Sequence, residues 1–240
     1  MILVSIQSFA YTLSFIFVFV VLPLIIFLSI LKAKRRSPET RGQRGEDSVS
    51  GMLSRIAEQR GGYIINDVII PNGNRTAQID HIYFVKNGVF LIETKNYSGR
   101  VYGNEEQTYW TQVLSYGNEK NSLYNPIKQN FTHMYALKKI IGSSVEVTPL
   151  VIFVQGNTEY INSKKVYTLR EARNLILNSP IRFSEKNISN WYSKIQYYKD
   201  HPISTKEEHI EHVKQKSSSI EEENQRRKRK RKVVKILKKL

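Results

Sequence analysis

The stretch QIDHIYFVKNGVFLIETKNYSG, Gln78 to Gly99, holds two runs rich in Ile, Val, Phe and Tyr separated by Asn87-Gly88, the strongest short signal for a β-hairpin. Three charged residues interrupt these strand-like runs: Asp80, Glu93 and Lys95. If Asn87 and Gly88 form a two-residue turn, Lys86 faces Val89, and counting back sets Asp80 opposite Lys95 and Ile82 opposite Glu93. Side chains alternate along a strand, so Glu93 and Lys95 share a face, and Asp80 joins them at one end of it. A one-residue slip would send Asp80 to the other face, so the convergence depends strictly on register.

Buried ionisable groups are costly unless paired or bound to a metal. One resolution is a cross-strand pair of Asp80 with Lys95, with Glu93 satisfied elsewhere. The other is a divalent cation, because two carboxylates on one apolar face leave negative charge uncompensated. Two carboxylates with a carbonyl and waters suit a hard ion such as magnesium, which accepts few protein ligands. A lysine beside such an ion orients a water or steadies developing phosphate charge, the chemistry of metal-assisted phosphodiester hydrolysis. The residues by themselves leave both readings open.

Around this hairpin, a chain of 240 residues with 40% apolar composition has room for one α/β domain with attachments. It contains no cysteine, which excludes disulfides, thiolate zinc sites and cysteine nucleophiles. The net charge of +16 points first to nucleic acid, but it sits at the flanks. Residues 32–44 carry six Lys/Arg against Glu39, and residues 226–239 carry ten with no acid, whereas residues 45–225 hold 21 basic and 20 acidic residues. The central part is therefore nearly neutral.

From Ile2 to Leu31 there is no charged residue, a run longer than the roughly 20 apolar residues that span a bilayer as a helix. Positive charge follows the run, at Lys32, Lys34, Arg35 and Arg36, and nothing resembling an A-x-A cleavage site comes after it. An uncleaved anchor fits this better than a signal peptide. The positive-inside rule then expects a single-pass cell-membrane protein with its N-terminus outside and all that follows Lys32 in the cytoplasm. The expected organisation is a transmembrane helix over 1–31, a basic juxtamembrane linker over 32–41, a folded domain over 42–203, and a charged linker with a basic amphipathic tail over 204–240.

Within the domain, Val49, Leu53 and Ile56 recur at helical spacing before Gly61-Gly62, predicting an amphipathic helix with a glycine end. YIINDVIIP predicts a strand, NGNRT a turn, and GRVYGNEEQTYWTQV a further strand and loop with Trp110 packed on the sheet. Asn125-Pro126 opens a helix, with Ile127, Phe131, Met134, Leu137 and Ile141 on its apolar side. VTPLVIFVQG predicts a central strand buried on both faces. KKVYTL, REARNLILN and SEKNISNWYSKIQYYKD predict a strand and two helices. Helices flanking a mixed sheet follow from this order.

Asp80, with Glu93-Thr94-Lys95 after it, resembles the D…ExK arrangement of the PD-(D/E)xK nucleases. Gly45-Glu46, QIDHI at 78–82, GVFLIETKNYSG at 88–99, Trp110 and NPIKQ at 125–129 together resemble the nuclease-related domain, NERD, over about residues 42–155. The resemblance implies a restriction-endonuclease-like α/β core, often beside a membrane helix in bacterial proteins. It also implies that Asp80 and Glu93 hold Mg2+ (or Mn2+), that Lys95 is the catalytic lysine, that Glu46 is an acidic residue from the first helix, and that Gln129 is a helix glutamine of the site. Ile79 stands where many relatives have proline, a position outside the chemistry.

Other residues have more modest readings. His81 points away from the charged face by alternation, and His133 shares a helix face with Gln129. Tyr97, Tyr102, Tyr109 and Tyr116 can stack on bases, though sheet packing is the commoner role. The tail carries Val233, Ile236, Leu237 and Leu240 at helical spacing among lysines, which suits an anionic membrane surface or nonspecific phosphate binding. The function expected is a membrane-anchored, metal-dependent nuclease acting on nucleic acid, DNA ahead of RNA. The alternatives are a catalytically weak nucleic-acid-binding module and a membrane-associated scaffold.

Overall fold

A computed structural model describes residues 11, 15, 17–35 and 38–211. The apolar stripe of the tail and residues 2–10 of the expected anchor lie outside these residues. Phe17–Val21 form a π-helical turn, and helix α1 spans Leu22–Arg35. Phe17, Phe19, Leu24, Ile25, Phe27 and Leu28 are exposed. Among the described residues no helix is long and apolar enough to cross a membrane.

The amphipathic helix expected from Glu46 onward begins earlier, with α2 spanning Pro38–Arg60. Proline suits the first turn of a helix, and Gln43 Nε2 donates to Asp47 Oδ1 at 3.0 Å one turn on. Val49, Met52, Leu53 and Ile56 are the buried stripe. Gly61 ends the helix in the left-handed region, and its N–H bonds to Ala57 O.

Strands β1 (Tyr63–Asn72), β2 (Arg75–Val85), β3 (Gly88–Lys95), β7 (Val147–Phe153) and β9 (Val166–Thr168) form a five-stranded mixed sheet in the order β1-β2-β3-β7-β9. β3 lies at its centre, antiparallel to β2 and parallel to β7, and Gly88 to Thr94 are all buried. Helices α3 (Pro126–Ile141) and α5 (Glu185–Asp200) cover one face, packing Leu137, Ile141, Trp191 and Ile195 against Ile82, Phe84 and Leu91. Helices α2 and α4 (Leu169–Asn178) cover the other, packing Leu53, Ile56 and Ile176 against Tyr83, Phe90 and Ile92. The result is the expected mixed sheet flanked by helices.

Strands β4 (Arg100–Asn104), β5 (Tyr109–Leu114), β6 (Glu119–Tyr124) and the short β8 (Ile161–Asn162) make a second sheet in the order β6-β5-β4-β8. The sequence pattern showed one strand and a loop there. Trp110 is buried in a third cluster with Val101, Ile127, Val151 and Phe153, which joins this sheet to the main body.

One register differs from expectation. Val85 pairs with Gly88 and Ile82 with Leu91, so the loop is Lys86-Asn87 and not Asn87-Gly88. The turn is held by tertiary contacts: Asn87 Nδ2 donates to Ser179 O at 2.6 Å, and Lys86 O accepts the amides of Arg182 and Phe183. These bonds override the local preference of Asn-Gly. Continuing the pairing places Asp80 at the level of Glu93 and not of Lys95. The offset is two residues, so the facing of the paired residues, His81–Val85 and Gly88–Ile92, is preserved.

Two glycines of α2 separate packing from propensity. A Cβ on Gly45 would stand 2.7 Å from the Cβ of Asn96, whereas one on Gly51 would meet nothing within 4 Å. Gly45→Ala should destabilise the fold by about 1–3 kcal/mol through overpacking, and Gly51→Ala should stabilise it by about 0.5–1 kcal/mol through backbone entropy. Chemical denaturation of the two variants checks this, and equal effects would contradict the close approach of α2 to Asn96.

Candidate functional site

The site is assembled on the C-terminal end of β3. Alternation puts Glu93 and Lys95 on the α3 side of the sheet, and Lys95 Nζ donates to Glu93 Oε1 at 2.7 Å. Gln129 Oε1, from the first turns of α3, accepts from Lys95 Nζ at 3.4 Å. His133, one turn on, brings Nδ1 to 3.4 Å from Glu93 Oε2, ion-pair distance without hydrogen-bond geometry, so that buried oxygen has no hydrogen bond. Asp80 arrives from β2, and its Oδ2 accepts the Thr94 backbone amide at 2.7 Å. Asp80, Glu93, Lys95 and Gln129 are thus brought together.

Electrostatics divide the two carboxyls. Burial, and next the Glu93 charge, push the Asp80 carboxyl well above the usual carboxylate range. Glu93 is also penalised by burial, but Lys95 and His133 outweigh that and hold it below its ordinary value. Burial works against the Lys95 ammonium too, and the Glu93 charge more than restores it. The Glu93–Lys95 pair thus favours its ionised form, while the surroundings of Asp80 favour its neutral form. Glu46 is half-buried on α2, and burial raises its pKa; its own charge contributes to raising that of Asp80. Among the described residues no group of three His, Asp or Glu side chains is arranged to hold a metal ion.

Three features position these groups. The first is an irregularity where β1 faces Asp80: pairing runs from Asn66–His81 to Val68–Ile79 and skips Asp67, whose φ is +51°. Across this point Ala77, Ile79, Ile82 and Phe84 all enter the same core, so strict alternation fails beside Asp80. Lys199 Nζ bonds the carbonyls of Asn66 and Asp67 and holds the distortion in place. The second is a latch on the segment after Lys95. Asn96 Nδ2 donates to Arg41 O and Arg41 Nη1 donates to Ser98 Oγ, both at 2.7 Å, and Gly45 lies against Asn96. This brings α2 close enough for Glu46 to act on the site. The third is Asn130, fully buried, which donates to Leu91 O on β3 and Leu150 O on β7 and fixes α3 over the sheet.

Sequence periodicity missed the third feature, because it read α3 by its apolar residues. Phe131 and Met134 are only partly buried, while Asn130 and His133 face inward. Residues 206–211, expected as linker, are helical, and Lys206 Nζ lies 3.5 Å from Asp67 Oδ2. No local pattern signals a partner so distant in sequence. Asn125 caps α3 as expected, and its Nδ2 also donates to Asn104 O and Gln107 O, tying the helix to the β4–β5 loop.

Residues 41–154 match the nuclease-related domain family, NERD. That segment is a nuclease-related domain. The NERD segment contains Glu46, Asp80, Glu93, Lys95 and Gln129 together with α2 to β7. An uncharacterized protein of Bacillus anthracis is 35% identical to this chain over 121 residues, covering 50% of this chain and 56% of its own length. The chain thus spans about half the length of that curated relative. No solved structure matches.

His81, on the α2 side of the NERD sheet, supplies a pH test of the fold. Its Nδ1 donates to Asn66 Oδ1 at 2.8 Å, leaving Nε2 unprotonated and buried. Burial lowers its pKa from 6.5 to about 4. Because the folded value lies below the unfolded one, this contribution is complete above pH 6.5 and is lost as pH falls toward 4. Between pH 7 and pH 5 the loss should be about 2 kcal/mol. Denaturant titrations at both pH values should show His81→Gln losing less than the parent; an equal loss would refute a neutral buried imidazole.

Proposed function

We propose that this protein is a membrane-anchored, metal-dependent nuclease that hydrolyses phosphodiester bonds of DNA or RNA at the cytoplasmic face, through a restriction-endonuclease-like core. The observation that carries this reading is the Lys95–Glu93 pair at 2.7 Å with Asp80 held beside it by the Thr94 amide. A stabilising role alone gives no reason to place two carboxyls and an ammonium together in the interior, since an apolar set of similar volume is commonly as stable.

Asp80 and Glu93 would hold a magnesium or manganese ion. Both offer hard oxygen donors, and Glu93 Oε2 is buried without a hydrogen bond. Such an ion completes its shell with water, so two carboxylates suffice. When bound, it would supply Lewis acidity toward the phosphate and lower the pKa of a bound water. The chain's own residues do the rest. Lys95, charged and steadied by Glu93 and Gln129, orients a water or neutralises charge developing on the phosphate oxygens. His133 holds Glu93 ionised from the far side. Glu46 adds negative charge near Asp80 that helps raise its pKa and would equally attract a cation there.

Membrane anchoring is supported by the uncharged run from Ile2 to Leu31 and the basic cluster after it. The outward-facing Phe and Leu side chains of residues 17–28 suit lipid. The second reading, a catalytically weak nucleic-acid-binding module or a scaffold, is favoured by the lack, among the described residues, of a third group to complete a metal site.

The full chain in detergent, given labelled single- and double-stranded DNA and RNA in magnesium, manganese or EDTA, should cleave only with metal. Asp80→Ala and Lys95→Ala should each lower the rate by at least about 100-fold, in the range set by loss of a group that stabilises transition-state charge. Cleavage that persists in both variants would overturn the assignment of these residues. Absence of cleavage under every condition would favour the second reading.

A further inference from the structure

The second sheet has one face that the fold does not use. Its inward side chains, Val101, Trp110 and Gln112, are buried against the body of the domain. The opposite face is ordered by strand register into three cross-strand rows: Arg100, Val113 and Lys120; Tyr102, Thr111 and Ser122; Tyr109 and Tyr124. Tyr160, beside β8, places its ring 4.7 Å from that of Tyr102, and the rings of Tyr109 and Tyr124 are 5.9 Å apart. Tyr102, Tyr109, Tyr124 and Tyr160 are 36%, 57%, 47% and 44% exposed. Two ring pairs therefore stand on this face, Tyr102 with Tyr160 next to the row that ends in Arg100 and Lys120, and Tyr109 with Tyr124 in the row beyond.

We infer that this tyrosine face binds single-stranded nucleic acid, its rings stacking on unpaired bases while Arg100 and Lys120 meet the phosphates. Cross-strand pairing alone explains the edge-to-face contact of Tyr109 with Tyr124, but not a solvent face carrying four rings, two cations and a single aliphatic side chain, Val113. An aliphatic protein surface would find little to pack against in such a set. Flat rings flanked by guanidinium and ammonium match a polyanion with exposed bases, and a duplex keeps its bases stacked away from such rings. β4 begins shortly after Lys95, so the chain runs directly from the strand that bears the site into this second sheet. The inference deepens the nuclease reading by naming its substrate class and rests on that reading for its biological purpose, but binding can be measured without it.

The test is fluorescence anisotropy with the full chain in detergent, a labelled oligothymidine and a hairpin duplex of the same length, in EDTA and at two salt concentrations. The single strand should bind at least tenfold more tightly than the duplex. Tyr102→Ser with Tyr109→Ser should weaken single-strand binding at least tenfold at both salts, because stacking is less salt-sensitive than phosphate contact by the basic tail. Tyr102→Phe with Tyr109→Phe should stay within about twofold. If the serine double variant melts early, Tyr160→Ser, outside the three-stranded part of the sheet, should lower affinity about fivefold, with Tyr116→Ser on the nearby loop unchanged. Unaltered affinity in the serine variants, or equal binding of duplex, would overturn the inference. EDTA separates the two readings. Tight, ring-dependent binding with no cleavage in metal would sink the nuclease and keep the face, and cleavage with ring-independent binding would do the reverse.

Discussion

An ion pair in the centre of a sheet sets the terms for the rest of this domain. Glu93 is 1% exposed on the central strand, and its charge is sustained by Lys95 on one side and His133 on the other. Removing ions from water costs several kcal/mol each, and only good geometry and complementary charge recover that cost. The flanking layers supply both conditions. α3 delivers Gln129 and His133 to the pair, while α2 and α4 close the opposite face with apolar side chains.

The pair also explains why the neighbouring carboxyl behaves differently. Asp80, whose surface is only partly buried, receives an amide from Thr94 and has the Glu93 charge close by, and desolvation with that charge pushes its carboxyl well above the usual carboxylate range. The two carboxyls are thereby driven apart, one held toward its ionised form and the other pushed toward its neutral form. The backbone facing Asp80 is irregular as well. Asp67 accepts a left-handed φ, and its carbonyl, with that of Asn66, is bound by Lys199 from α5. Strain of that kind persists only where surrounding contacts demand it.

The second sheet adds a separate logic. Its inner face, filled by Trp110 and Val101, is ordinary core. Gly103 lies flat against Trp110, where a Cβ would stand 2.3 Å from the indole. With the inner face complete, the outer-face tyrosines pack on one another, and strand register sets the rows of Tyr102, Tyr109 and Tyr124.

Much of this could be read from the residues in order. Periodicity and turn chemistry determined the helices and strands of the main body, and alternation determined that Glu93 and Lys95 share a face, because a period of two admits no other arrangement. The D…ExK spacing and its companion blocks marked the nuclease-related segment. Three things were decided only in the folded chain. The hairpin turn moved to Lys86-Asn87 because bonds to residues 179–183 outweigh the Asn-Gly preference. Asn130 and His133 turned inward because carbonyls of β3 and β7 and the carboxylate of Glu93 lay where α3 settled. Tyr124 came to stand beside Tyr109 because β6, whose pattern is weak, paired with β5. Each depends on partners far apart in sequence, and local propensity carries no record of them.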